Sequence, residues 1–146
     1  MEVNDNKVKI ITDFGTYDLM GKDPEEFPAA PDTNNGVEIG IGSTLLNKII
    51  STVSFAVSKD DLKPALTGVF FKIDSDLITA VATDGHRLAQ YLCKNETKTT
   101  FTGEVIIPKK FLHTIGSYTA GEDEVSLLIN DNVFTARMGP DTVYTR

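Results

Sequence analysis

His86 follows Asp84 by two positions in the run Ala82-Thr83-Asp84-Gly85-His86-Arg87-Leu88-Ala89, and an imidazole beside a carboxylate is the pairing that general-base chemistry uses. The spacing does not complete a catalytic set. No Ser or Cys can be tied to the pair as nucleophile, Asp84 is committed to a turn, and adjacent strand residues point to opposite faces. No catalytic residue is therefore expected, and a small soluble enzyme or ligand-binding domain with its site at Asp84-Gly85-His86 is kept as the alternative. Two histidines and one cysteine give zinc no ligand set. His113 falls among polar helix residues, and Cys93, without an intramolecular disulfide partner, reads as a structural thiol in a strand. Neither G-x-G-x-x-G nor G-x-x-x-x-G-K-S/T occurs, so nucleotide binding by those loops has no support. Gly40-Ile41-Gly42 reads as a turn. Neither a metal nor a cofactor is expected.

The elements that must carry these residues follow from periodicity. Asp84-Gly85 lies between two strand-like runs, Leu77 to Ala82 and His86 to Leu92, and Asp-Gly is favoured where both residues of a hairpin turn need φ > 0. A helix opening at Ser43 as N-cap sets Leu45, Leu46, Ile49, Ile50 and Val53 on one face and Thr44, Asn47, Lys48, Ser51 and Thr52 on the other. A second, with Pro108 at its first position, buries Phe111, Leu112 and Ile115, leaves Lys109, Lys110, His113, Thr114 and Ser117 outward, and ends before Gly121. Each helix follows a short apolar strand, Val37 to Ile41 or Glu104 to Ile107, and precedes three more. The first trio is Thr67 to Ile73, Leu77 to Ala82 and His86 to Leu92. The second is Glu124 to Ile129, Asn132 to Met138 and Thr142 to Arg146, with turns at Asn130-Asp131-Asn132 and Gly139-Pro140-Asp141. The order β-α-β-β-β thus occurs twice, an α+β arrangement of two helices on antiparallel sheets. Upstream, Lys7 to Thr12 and Gly15 to Met20 read as a hairpin, followed by a proline-rich linker, Asp23 to Asp32.

The 146 residues are 40% hydrophobic and 24% charged, the balance of a soluble globular domain able to bury a core, with one complete domain at most plus fragments. No apolar run reaches the length of a bilayer span, and Met1 to Ile10 lacks the apolar stretch of a signal peptide, so a cytoplasmic protein without membrane contact is expected. The net charge of −7 argues against broad surface attraction to nucleic acid. The acids are unevenly spread, however. None lies between Gly42 and Ser58 or between Val105 and Gly121, the two helix windows that carry Lys48, Lys109 and Lys110.

With Lys63-Pro64-Ala65-Leu66-Thr67-Gly68-Val69-Phe70-Phe71 before it, the Ala82–Ala89 string resembles the middle domain of the bacterial DNA polymerase III β sliding-clamp family. Further matching stretches are Ser54-Phe55-Ala56-Val57-Ser58, Val105-Ile106-Ile107-Pro108-Lys109-Lys110 and, upstream, Glu25-Glu26-Phe27-Pro28. The resemblance implies a DNA-clamp fold, with residues 1–32 the tail of a first domain plus linker and 33–146 a second domain truncated at its C-terminal end. It implies no catalysis. The parent is a ring-shaped homodimer that encircles double-stranded DNA without reading sequence and tethers the DNA polymerase III alpha subunit, the clamp loader and other proteins with clamp-binding motifs. This fragment is not expected to close the ring. By the same resemblance, Lys48, Lys109 and Lys110, with Lys59 and Lys63 beside Asp60 and Asp61, face DNA, against the plain alternative of a solvated helix face. Backbone N–H groups at the start of the second helix favour an anion there as well. Leu66, Thr83, Gly85, His86, Arg87 and Leu88 form the second-domain wall of a groove for partner peptides. Gly85 admits close backbone approach, the leucines offer apolar surface and Arg87 offers a stem and a fork of donors.

Overall fold

In the computed structural model, which describes residues 1–27, 29, 31, 36–97, 99, 101–119, 123–130 and 133–145, the chain divides into two units, Met1–Pro31 and Asp32–Arg146. The first unit carries the expected hairpin as β2 (Lys7–Thr12) and β3 (Gly15–Met20). It also has a strand the sequence reading missed, β1 (Glu2–Asn4), paired antiparallel to β2. Asp5 makes the return possible by taking a left-handed conformation, φ 51°, which aspartate tolerates better than most residues. Val3, Ile11, Phe14, Tyr17, Leu19 and Met20 are all exposed, so this small sheet buries no large apolar face of its own.

The second unit runs β4 (Val37–Gly42), α1 (Ser43–Val53), β5 (Gly68–Ile73), β6 (Leu77–Thr83) and β7 (Leu88–Lys94), then β8 (Gly103–Pro108), α2 (Lys109–Tyr118), β9 (Glu124–Ile129), β10 (Phe134–Met138) and β11 (Asp141–Thr145). The order β-α-β-β-β is present twice. Pairing, however, crosses between the repeats: the sheets are β11-β10-β9-β4 and β7-β6-β5-β8. Each repeat lends its first strand to the other's trio, with Ile39 opposite Leu127 and Ile107 opposite Val69. Neither half could close its sheet alone.

Alternation of side chains along the strands delivers one apolar face per sheet. Ile39, Ile41, Leu127 and Phe134 of one sheet meet Phe71, Ile73, Ile78 and Ile107 of the other around a shared interior gap. The helices complete the core through Leu46, Ile49, Ile50 and Val53 of α1 and Phe111, Leu112 and Ile115 of α2, with Phe111 edge-on to Phe134 at 5.4 Å. Leu45, expected on the buried face, is only half-buried.

Both helices begin one residue away from the expected place, for one shared reason. Gly42, the last residue of β4, is the N-cap of α1, and Ser43 is its buried first residue. Pro108, the last residue of β8, likewise caps α2 instead of occupying its first turn. In each case the strand runs into the helix without a loop, and the first helical N–H is taken by a neighbouring segment: Ser43 N donates to Asp123 O at 3.0 Å, Lys109 N to Thr67 O at 3.3 Å. Gly121, Asp131, Asn132 and Arg146, which the sequence reading placed at a helix end, a turn and strand ends, lie outside the described residues.

Candidate functional site

The β6–β7 connection is where the structure departs most from the sequence reading. A two-residue Asp-Gly turn does not form: Thr83 pairs with Leu88, leaving a four-residue loop, Asp84 to Arg87. Gly85 has φ +90°, whereas Asp84 keeps a negative φ. The cause is local capture of backbone by side chains, which competes with strand pairing. Asp84 Oδ1 accepts from the backbone N–H groups of His86 and Arg87, each at 3.0 Å. Thr83 Oγ1 accepts from Gly85 N at 3.1 Å and donates to Arg87 O at 2.7 Å. His86 and Arg87 thereby leave the strand into which they were expected to fall, and β7 starts at Leu88. A side chain at position 85 would have open space but the wrong φ, so conformation is what calls for glycine there.

Asp84 Oδ2 accepts from Arg87 Nε at 2.9 Å. The His86 backbone N–H, then that of Arg87, hold the Asp84 carboxyl below its ordinary value, with partial burial opposing them and the Arg87 side chain assisting. On its other side the guanidinium lies 5.7 Å over the ring of Phe55, in the 3-10 turn Ser54–Ala56 that follows α1. Phe55 is a site neighbour that the sequence reading did not single out. Its signal was an aromatic residue two positions beyond the end of α1 at Val53 and off its buried stripe. His86 presents only its backbone to Asp84, and among the described residues its ring makes no hydrogen bond. The acid–base pairing considered from sequence is therefore not formed.

Leu66 ends a second ordered segment. The 3-10 turn Pro64–Leu66 is tied to α1's exit by Ser58 N donating to Leu66 O at 2.9 Å. Asp60 folds the intervening loop, accepting from Leu62 N at 3.0 Å, while Asp60 N donates to Ser58 Oγ. Leu66 and Thr83 are half-buried; Gly85, His86, Arg87 and Leu88 are exposed, with Leu88 66% exposed.

One surface depression draws together residues expected at different sites. Lys59, Lys63 and Lys109 line it with His86, Arg87, Phe55, Val57, Asp60 and Asp84. Lys48 and Lys110 are not on its wall; they stand exposed on α1 and α2. None of the five lysines makes an ion pair among the described residues. Because Lys109 N already donates to Thr67 O, one of the amide donors expected to favour an anion at the start of α2 is occupied.

Elsewhere, Cys93 Sγ points at Ile78 O at 3.8 Å, and burial, then the charge of Glu96, push its thiol up. Among the described residues no three His, Cys, Asp or Glu side chains converge as a metal site, and no helix is long and apolar enough to cross a membrane.

Comparison with known proteins puts a family beside this geometry. The sequence profile described as DNA polymerase III beta subunit, central domain, matches residues 40–146. The beta sliding clamp of Chlamydia pneumoniae is 30% identical over 124 residues, 85% of this chain and 34% of that protein. That of Halalkalibacterium halodurans is 32% identical over 120 residues, 80% of this chain and 31% of its own length. Among solved structures, the DNA polymerase III beta chain of Streptococcus pneumoniae superposes with TM-score 0.88 at 29% identity, covering 100% of this chain and 39% of that one. The DNA polymerase sliding clamp of Bacillus subtilis gives 0.86 at 27% identity, covering 99% and 38%. The chain thus spans about a third of the length of the curated relatives it matches.

Proposed function

Because the chain belongs to the DNA polymerase III beta subunit family through its central domain, we propose that it forms the middle part of a non-catalytic processivity clamp, one that encircles duplex DNA and tethers replication proteins to it. Tethering requires two surfaces of different character. One meets the duplex without holding it tightly, because a clamp that slides gains from modest, sequence-independent phosphate contacts. Lys48 and Lys110, exposed on the helices and free of ion pairs among the described residues, suit that role, with Lys109, Lys59 and Lys63 beside them in the expected set.

The other surface captures partners. Leu66, Thr83, Gly85, His86, Arg87 and Leu88 are proposed as a wall that receives short peptide motifs from the polymerase alpha subunit, the clamp loader and other clamp-binding proteins. The observation that carries this reading is the loop from Asp84 to Arg87, locked by five hydrogen bonds from Asp84 and Thr83 side chains. Together with Leu88 at the start of β7, it presents an exposed leucine, an arginine fork and a glycine backbone on a hydrogen-bonded base. Preorganised groups of this kind lower the ordering cost of binding an extended peptide. In the full-length protein the ring would be a head-to-tail homodimer in the cytoplasm, with this unit between two further domains. The acid-rich remainder of the surface would discourage stray contacts with DNA.

Fluorescence anisotropy with a labelled clamp-binding peptide tests the wall. Saturable binding that weakens in Leu88→Ala and Leu66→Ala supports it; binding indifferent to both substitutions contradicts it.

A further inference from the structure

Asp84 accepts three hydrogen bonds, and its two oxygens have different partners. Oδ1 takes the backbone N–H groups of His86 and Arg87, while Oδ2 takes Arg87 Nε. An ion pair between two exposed, flexible side chains adds little stability. Here the carboxylate is already fixed by the two backbone donors before it meets the guanidinium, so it acts as a rigid post and not as a second flexible arm. The Asp84 side chain is 21% exposed and that of Arg87 59%, so one partner is sheltered and the other reaches outward. On its far side, Arg87 is bounded by the Phe55 ring, with Cζ 5.7 Å from the centroid, within the range of a cation–π contact. Only Nε is used by Asp84, and the terminal N–H donors of the fork make no hydrogen bond among the described residues.

We propose that Asp84 is the positioning residue of the partner-peptide wall: with one oxygen it sets the backbone at His86 and Arg87, and with the other it holds the Arg87 guanidinium against Phe55, fixing the donor face that a partner meets. This inference deepens the peptide-binding reading and rests on it. Asp84 itself need not touch the peptide. Its two oxygens make the roles separable by substitution. Asp84→Asn retains a carbonyl oxygen for the two backbone donors, but it presents an NH₂ group where Arg87 Nε needs an acceptor. The loop should therefore keep its shape while the guanidinium is released.

The test uses the 146-residue chain with two readouts. NMR follows cross-peaks between the Arg87 side chain and the Phe55 ring, together with the backbone amides of Gly85, His86 and Arg87. Anisotropy follows the fluorescein-labelled clamp-binding peptide. In Asp84→Asn the loop amides stay near their original positions, the Arg87–Phe55 cross-peaks vanish, and the peptide Kd rises roughly tenfold, matching Arg87→Ala. Combining Asp84→Asn with Arg87→Ala adds no further loss, because both remove one interaction. Unchanged cross-peaks in Asp84→Asn, unchanged affinity, or a double variant that sums the two losses would overturn the proposal. If the unsubstituted chain binds no peptide, the groove reading fails on its own, and the cross-peaks still decide whether Asp84 places Arg87.

Discussion

Asn47 on α1 donates its side-chain amide to the hydroxyl of Thr119, just past α2, across 2.7 Å. Thr119 is buried, and its hydroxyl donates a hydrogen bond to Gly116 O at 2.9 Å. The helices come close at this point: a Cβ on Gly116 would stand 3.1 Å from Asn47 Oδ1. This bond joins the two repeats on the helical side, as the exchanged strands join them in the sheets. Asn47→Ala leaves a buried hydroxyl short of a donor, so a loss of about 1–2 kcal/mol is expected in urea unfolding, with the m-value unchanged. A loss under about 0.3 kcal/mol would show that the bond is replaced by water.

Thr135, the second residue of β10, is 1% exposed, and its Oγ1 has no hydrogen-bond partner among the described residues. Replacing it by valine keeps the branched shape and removes the stranded hydroxyl. Thr135→Val is expected to raise stability by about 1 kcal/mol, read as a higher urea midpoint. A lower midpoint would mean that the hydroxyl is in fact satisfied.

The Asp84 carboxyl is held below its ordinary value chiefly by the backbone N–H of His86. A lowered folded-state pKa means that the charged form is the one the fold favours. Its stabilising contribution is therefore complete above the ordinary carboxylate value of about 3.9 and is lost as pH falls through the lowered one. The carboxyl ¹³C titration of Asp84 should have its midpoint below that ordinary value, and the amide shifts of His86 and Arg87 should follow the same midpoint. A midpoint at or above the ordinary value would show that the loop does not depend on the ionised carboxylate.

If Lys48 and Lys110 meet phosphates, each contributes to counterion release. Lys48→Ala and Lys110→Ala should each reduce the slope of log K against log salt for a short DNA duplex by about 1, equally for unrelated sequences. Identical slopes in the variants and the unsubstituted chain would remove these residues from the DNA face.

Much of the fold was legible because it is written in short-range patterns. The alternation in Glu124–Ile129 and the helical stripe Leu46, Ile49, Ile50 and Val53 need only the neighbouring residues to be read. The exchange of β4 and β8 between sheets was not legible, because any apolar strand of six residues could pair with several others. The helix starts were misread by one residue, because Asp123 O and Thr67 O, distant in sequence, take the first helical N–H groups. At the candidate site, residue identities were legible and their grouping was not. Lys59, Lys63 and Lys109 were assigned to a face apart from His86 and Arg87, yet all five line one depression. Only the tertiary fold, by setting the exit of α1 beside the β6–β7 loop, brings them together. The loop itself was read as a two-residue turn because Asp-Gly is a strong local signal; the side chains of Thr83 and Asp84 override it.

The most direct test of the peptide-binding wall is an NMR titration of the ¹⁵N-labelled chain with an unlabelled clamp-binding peptide. Progressive shifts concentrated at Leu66, Thr83 and Gly85 through Leu88, saturating and absent with a scrambled peptide, are the expected result. Shifts spread over the surface, confined to a different element, or equal for the scrambled peptide would contradict it.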